Sequence, residues 1–330
     1  MMDGLNRIPE VRVRAAARLH AGFLDLNGDL GRRFGSIGIT LDRPATVVRV
    51  RHAEALSVAG PSAERARRCV ERLCETEGFS RRVELTVEEA IPEHAGLGSG
   101  TQMDLAVSTA LSLLNGRPAT ARDLARKVER GARSGIGLGA FQQGGVLLDG
   151  GRGPGDDPPP VIARADFPED WRLLLVMHDD DVRGLHGTAE VDAFRRLPPF
   201  PAEKAAHLCR LMLMVALPAL AERDVNRFGG VIGELQRTVG DHFAPAQGGR
   251  FTSPLVADAI GWLESEGIPG VGQSSWGPTG FAIVGGAAEA ERLADAARCR
   301  WAGEPLKFLV CRGSNTGASI EGADLGAVTV

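Results

Sequence analysis

Pro92-Glu93-His94-Ala95-Gly96-Leu97-Gly98-Ser99-Gly100-Thr101 is the stretch from which the fold is read. Upstream, Arg82-Val83-Glu84-Leu85-Thr86-Val87-Glu88 alternates polar and apolar residues, the pattern of a half-buried strand. Downstream, Met103 to Leu114 is an apolar, Ala/Leu-containing run that reads as a helix. The unit is strand, glycine-rich loop, helix N-terminus. Gly96, Gly98 and Gly100 let the backbone approach a ligand closely, and Ser99 and Thr101 can cap the helix or bind an anion. Free N–H groups and the positive end of the helix dipole favour phosphate there.

The rest of the chain sets the scale. At 330 residues it exceeds what one hydrophobic core usually serves, so two domains are expected. A hydrophobic content of 43% and a charged content of 24% belong to a globular protein, and a net charge of -4 gives no basis for nucleic-acid or membrane binding. Of 38 basic residues only Lys127, Lys204 and Lys307 are lysines, so ligand anions will mostly meet arginine, whose fork suits carboxylates and phosphates. Five scattered cysteines without zinc-like spacing predict reduced thiols. With no signal-peptide core near the N-terminus, they place the protein in the cytoplasm. The longest apolar run, around Leu208 to Leu220, is interrupted by Arg210 and Pro218 and reads as a buried helix too short to span a bilayer.

The Gly/Pro/Asp cluster from Gly150 to Pro160 cannot continue a helix or a central strand; it is a linker or a long surface loop, and the expected domains are 1–160 and 161–330 on either side of it. Strands are expected near 12–18, 45–51, 82–89, 144–149, 171–177, 279–284 and 306–312. Helices are expected near 62–77, 101–115, 120–132, 254–266 and 287–298, with two or three long ones between 202 and 240. The alternation lacks consecutive βαβ units, which favours an α+β fold.

Two further segments carry chemistry. Gly270-Val271-Gly272-Gln273-Ser274-Ser275-Trp276-Gly277-Pro278-Thr279-Gly280 gathers several hydrogen-bonding groups and an aromatic wall in a short span. Arg18-Leu19-His20-Ala21-Gly22-Phe23-Leu24-Asp25-Leu26 combines Arg, His and Asp, and is followed by the closely spaced glycines of 31–38.

Three such segments in this order resemble the GHMP superfamily of small-molecule kinases: an N-terminal motif, a phosphate loop and a C-terminal glycine-rich loop. The resemblance covers most of the chain. It implies an N-terminal domain like ribosomal protein S5 domain 2 and a ferredoxin-like C-terminal domain. The wording of 17–44, of 133–151 and above all of GQSSWGPTGFA is most similar to the beta-ribofuranosylaminobenzene 5'-phosphate synthase family. That resemblance implies decarboxylating C-ribosyl transfer from phosphoribosyl pyrophosphate to 4-aminobenzoate or 4-hydroxybenzoate. CO2 and pyrophosphate are released, in tetrahydromethanopterin biosynthesis. It also implies Mg2+ as cofactor. A homodimer is the general expectation for such enzymes.

One departure bears on the chemistry. Many of the kinases place a catalytic Asp in a Ser-Gly-x-Asp run, and the matching run here is Ser134-Gly135-Ile136-Gly137. A general base is typically worth about 10²–10⁴-fold, so its loss argues against phosphoryl transfer. The alternatives to the synthase are an ATP-dependent kinase of the superfamily and a non-catalytic sugar-phosphate sensor.

The expected roles follow. Gly96, Gly98, Ser99, Gly100 and Thr101 cradle pyrophosphate. Arg18 clamps an anion, while His20, Ser134, Gln273 and Ser274 serve the chemistry. Ser275, Trp276, Gly277 and Gly135 contact substrate, with Trp276 stacking on the aromatic acid. Glu190, in the Gly-rich turn 184–190, is a further substrate contact, and Asp25 is the metal ligand.

Overall fold

The computed structural model describes residues 9–128, 134–155, 157–178 and 197–322. Its first sheet is built on two long antiparallel strands, β1 (Glu10–Asp25) and β2 (Phe34–His52), paired from Glu10 with Arg51 to Asp25 with Phe34. β1 alternates buried Val11, Val13 and Ala15 with half-exposed Arg12 and Arg14; beyond Ala15 nearly every residue is buried, because both faces of the strand become covered. β4 (Val83–Glu89) pairs antiparallel with β2, and the short β3 (Ser57–Ala59) lies parallel beside β4. The upper half of β2 pairs with β5 (Val146–Asp149), and β5 with β6 (Val161–Ala165). The last strand, β11 (Ser319–Glu321), closes the free edge of β1.

α1 (Ala63–Glu77), α2 (Ser99–Leu114) and α3 (Ala121–Lys127) cover one face of this sheet, around a core of Val48, Leu73, Leu85, Leu111 and Phe141. Phe141 belongs to α4 (Ile136–Gln142), which packs on β1 and β2.

The second sheet has the order β10 (Leu306–Cys311), β7 (Arg172–His178), β9 (Gly280–Val284), β8 (Val271–Gln273), all antiparallel. Read by sequence this is order 4-1-3-2, the βαββαβ plan of a ferredoxin-like domain. α8 (Pro254–Ser265) and α9 (Ala287–Arg300) cover its outer face. The inner face meets α5 (Ala202–Leu211), α6 (Leu217–Glu222) and α7 (Val225–Gln247). These helices bring it against the first sheet in one shared core that joins Leu19, Ile37 and Ile39 to Trp171, Phe228 and Leu235.

Two findings differ from the sequence reading. The Gly150–Pro160 segment is the loop of the β5–β6 hairpin, so the first sheet extends past 160, and the tail returns to it through β11. Gly and Pro marked a turn within a sheet, not a join between domains. Second, the run 202–222 is longer than expected. A π turn at Met212–Ala216 carries the helix through, with Pro218 in the first turn of α6. The 21-residue run is long and apolar enough to cross a membrane, and 33% of its apolar window is buried. Ala205, Leu208, Met212, Ala216 and Ala219 put its inner stripe in the shared core, while Leu213 and Met214 are exposed.

Candidate active site

α2 starts on the glycine loop with Gly98 as its N-cap, in the left-handed conformation at φ 84, and with no side-chain cap. Ser99 and Thr101 therefore make no capping bond at this helix start. α2 runs through the interior, buried from Gln102 to Leu114, so its N-terminal dipole is poorly screened by solvent. The Gln102 side chain donates to the carbonyl of Gly137 at 2.8 Å, tying the loop to the 134–137 turn.

Each glycine of the loop marks a different neighbour. A Cβ on Gly96 would lie 2.3 Å from the carbonyl oxygen of Ser274, and one on Gly277 would lie 2.4 Å from Gly96 Cα. The two glycine-rich loops touch backbone to backbone, which residues with side chains would prevent. A Cβ on Gly98 would lie 3.3 Å from the Arg18 side chain, and one on Gly100 2.6 Å from Arg65 Nη2. Arg18, from β1, donates through Nη1 to the Gly96 carbonyl at 2.6 Å and through its backbone N–H to Leu97 at 3.1 Å. Two guanidinium groups thus flank the loop, one from β1 and one from α1.

Ser274 joins the three predicted segments through one hydroxyl. Its Oγ donates to the Gly96 carbonyl at 2.8 Å and accepts the His20 backbone N–H at 3.0 Å. The Ser275 N–H, from a residue at φ 57, donates to the His20 carbonyl at 3.2 Å. His20 is 3% exposed, and neither ring nitrogen has a hydrogen-bond partner among the described residues. Burial, reinforced by the Arg18 charge, lowers its pKa to about 3, so the imidazole is neutral at ordinary pH.

Beyond His20 lies a row of rings. His20 and Phe23 have centroids 4.5 Å apart, Phe23 meets Phe34 at 5.6 Å and Phe243 at 6.2 Å, and Phe243 stacks on Trp276 at 4.3 Å. Trp276, expected to stack on a ligand ring, has Phe243 as its stacking partner and is 2% exposed; contact between the two sheets' layers buries it. Gln273, expected in the chemistry, has its amide committed to the fold: Oε1 accepts from Thr252 N–H at 2.8 Å and Nε2 donates to the Ser275 carbonyl at 3.2 Å. Its role here is to hold the loop.

At the 134–137 turn, Asp149 gathers four hydrogen bonds. Ser36 Oγ donates to Oδ2 at 2.5 Å, Ser134 Oγ at 2.9 Å and Gly135 N–H at 3.0 Å, while Gly151 N–H donates to Oδ1 at 2.9 Å. Asp149 is 1% exposed, and burial raises its pKa despite these bonds. The sequence reading missed Asp149, Ser36 and Arg65; the only signal was a carboxylate ending an apolar strand. Gly137 faces Thr101, whose Cγ2 would lie 3.0 Å from an added Cβ. Asp25 lies at the far end of β1 from Arg18, and its Oδ1 accepts the N–H groups of Asn27 at 2.8 Å and Gly28 at 3.0 Å, closing a turn. Among the described residues no three His, Cys, Asp or Glu side chains gather as a metal site. Glu190 lies outside the described residues.

Comparison with known proteins agrees with this geometry. Residues 64–145 match the GHMP kinases N-terminal domain and residues 216–303 the GHMP kinases C-terminal domain. The chain is 34% identical over 301 residues to beta-ribofuranosylphenol 5'-phosphate synthase of Methanothermobacter thermautotrophicus, spanning 83% of this chain and 89% of that one. It is 32% identical over 305 residues to the protein of the same name from Methanocaldococcus jannaschii, spanning 82% and 88%. In fold it resembles homoserine kinase from Cytophaga hutchinsonii (TM-score 0.62, 16% identity, 97% of this chain and 99% of that one). It also resembles mevalonate diphosphate decarboxylase from Staphylococcus aureus (TM-score 0.63, 17% identity, 95% and 98%). The chain belongs to the GHMP kinase superfamily and, within it, to the family of the beta-ribofuranosylphenol 5'-phosphate synthases.

Proposed function

We propose that this chain is a pentosyltransferase that moves the ribosyl 5'-phosphate group of phosphoribosyl pyrophosphate onto 4-hydroxybenzoate or 4-aminobenzoate, with release of CO2 and pyrophosphate. This is the reaction of tetrahydromethanopterin biosynthesis, and the names of the relatives support it. The observation that carries it is that, among the described residues, no free carboxylate stands at the 134–137 turn. Gly137 stands where many kinases of the superfamily hold Asp, and Asp149, which reaches the same turn, is buried under four hydrogen bonds. A kinase acceptor hydroxyl must lose a proton; this reaction needs no base for its central step.

The bond from C1 of the ribose to the pyrophosphate oxygen breaks, and its electron pair leaves with pyrophosphate. The ring carbon bearing the carboxylate attacks C1, helped by the para oxygen or nitrogen. The bond to the carboxylate then breaks as CO2, and its electron pair restores aromaticity. The departing charge is met by the N-terminus of α2, with Arg18 at the loop. His20, neutral and buried, offers one donor and one acceptor beside the aromatic row, and so orients without exchanging a proton. Asp104 is paired with Arg65 at 3.2 Å, while the side-chain donors on the loop itself are oxygen, the Ser99 and Thr101 hydroxyls. This is the chemistry that suits magnesium, with substrate phosphates and water as its other ligands, and bound magnesium would neutralise diphosphate charge.

The test is to incubate purified protein with Mg2+, phosphoribosyl pyrophosphate and each carboxyl-labelled acid. Labelled CO2 formed only when both substrates are present is expected. Absence of CO2 with either acid would overturn the proposal.

A further inference from the structure

Asp149 is a buried titratable group that the reaction leaves without a task. It ends β5, and the pairing of β1, β2 and β5 sets Phe23 beside Ser36 and Ser36 beside Asp149 on one face of the sheet. The 134–137 turn is laid across that face: a Cβ on Gly38 would lie 2.1 Å from Ile136 Cγ2. Three oxygens meet there. Ser36 Oγ and Ser134 Oγ lie 2.5 and 2.9 Å from Asp149 Oδ2, and the two hydroxyls are 2.8 Å apart. Ser36 and Asp149 are buried, while Ser134 is half-buried, so Ser134 is the member of the three that a ligand can reach.

A carboxylate that pins a turn is the ordinary explanation, and the Gly135 and Gly151 N–H groups, one on each of its oxygens, meet that need. They also favour the charged form, although burial raises the Asp149 pKa. The serines are more than a pinned turn requires. Each hydroxyl has one hydrogen, and Asp149 takes both. Ser134 Oγ also accepts the Ile136 N–H at 3.2 Å, which leaves it, among the described residues, one lone pair and no hydrogen. Toward a ligand it accepts and does not donate. A phosphate or carboxylate oxygen finds no hydrogen there, and an uncharged O–H or N–H donor suits it.

We propose that Asp149 is a positioning residue, which fixes Ser134 as the hydrogen-bond acceptor for the para hydroxyl or amino group of the aromatic acid. The inference rests on the functional reading above and deepens it. Phe23, beside Ser36 in the sheet, brings the row of rings next to this turn, which favours the aromatic acid over the ribose as the donor. As the ring attacks C1, the para oxygen or nitrogen gives up electron density, and its O–H or N–H becomes a stronger donor. A bond to Ser134, backed by the Asp149 charge, tightens in the transition state and so serves kcat more than KM. No proton changes hands.

The test is calorimetric titration of the full chain, with inorganic pyrophosphate present, by 4-aminobenzoate, 4-hydroxybenzoate and benzoate, which lacks the para donor. Wild type is expected to bind at least one para-substituted acid about fivefold or more tighter than benzoate, the worth of about one hydrogen bond. Ser134→Ala should close that gap and change benzoate affinity less than about twofold, which also shows the site intact. Asp149→Asn should close it too, because an amide N–H toward Ser134 turns the hydroxyl outward as a donor. The double variant should be no worse than Ser134→Ala alone, since Asp149 acts through that hydroxyl. No gap in wild type, a gap that survives Ser134→Ala, or losses that add in the double variant would sink the proposal. So would a loss confined to phosphoribosyl pyrophosphate affinity, which would give Ser134 to a ribose hydroxyl. The CO2 assay is separate: turnover without the gap leaves the reaction standing and removes the contact, and the gap without turnover does the reverse.

Discussion

His20 holds a polar ring in a buried place where the described protein gives neither nitrogen a partner. That is costly for folding alone, and a shape-matched apolar ring should be tolerated there. His20→Phe is therefore expected to keep or raise thermal stability while lowering kcat/KM at least about tenfold. Full turnover in this variant would show the ring to be packing only. The sign of the pH effect follows from the pKa near 3. Below its ordinary value of about 6.5 the unfolded chain takes up a proton that native His20 refuses, so stability falls as pH drops from about 6.5 toward 3. Asp149, with a raised pKa, pulls the other way in the acid range, so the slope should be read as the difference between wild type and His20→Phe. His20 was legible in the sequence as one member of an Arg, His, Asp cluster. Its lack of partners was not, because that depends on how Phe23 and the 274–276 loop pack around it in the fold.

At the scale of elements, the site is two glycine loops held against each other and against β1. Gly277→Ala would put a Cβ 2.4 Å from the Gly96 backbone, where neither loop has a side chain that can yield. We expect a loss of about 1–3 kcal/mol in urea denaturation, with KM for phosphoribosyl pyrophosphate rising more than kcat falls. A variant as stable and active as wild type would mean that the loops separate at no cost. These loops were readable because glycine-rich runs between strand and helix patterns have few uses. The partners were harder. Asp149 ends an apolar strand and looks like a turn residue, yet two segments distant in sequence, Ser36 and Ser134-Gly135, converge on its carboxylate. Gln273 misled for the opposite reason: a polar residue in a ligand-like loop turned out to hydrogen-bond the backbone on both sides.

For the whole molecule, the shared core means that the two sheets do not have separate interiors. Phe228, fully buried on α7, packs 5.7 Å from Trp171 at the start of the second sheet and joins the same cluster as Leu19 and Ile39 of the first. Phe228→Ala should cost about 3–5 kcal/mol and shift one calorimetric transition downward without splitting it. Two resolved transitions in the wild type would mean that the layers melt independently. The order of strands and helices was legible from periodicity and turn residues, and most of it stands. The pairing of distant strands was not. Nothing local in Val161–Ala165 or Ser319–Glu321 says that both return to the first sheet, and the Gly/Pro cluster between β5 and β6 looked like a join.

The return of β11 to β1 also sets an order of events during synthesis. β1 leaves the ribosome well before Ser319, Ile320 and Glu321, for which its outer edge at Arg12, Val13 and Arg14 waits. Until then the nascent chain carries an open strand edge, the feature by which unfinished β proteins stick to one another. The Arg12 side chain, held by Glu88 on β4 as well as by Glu321, keeps charge on that edge before its final neighbour arrives.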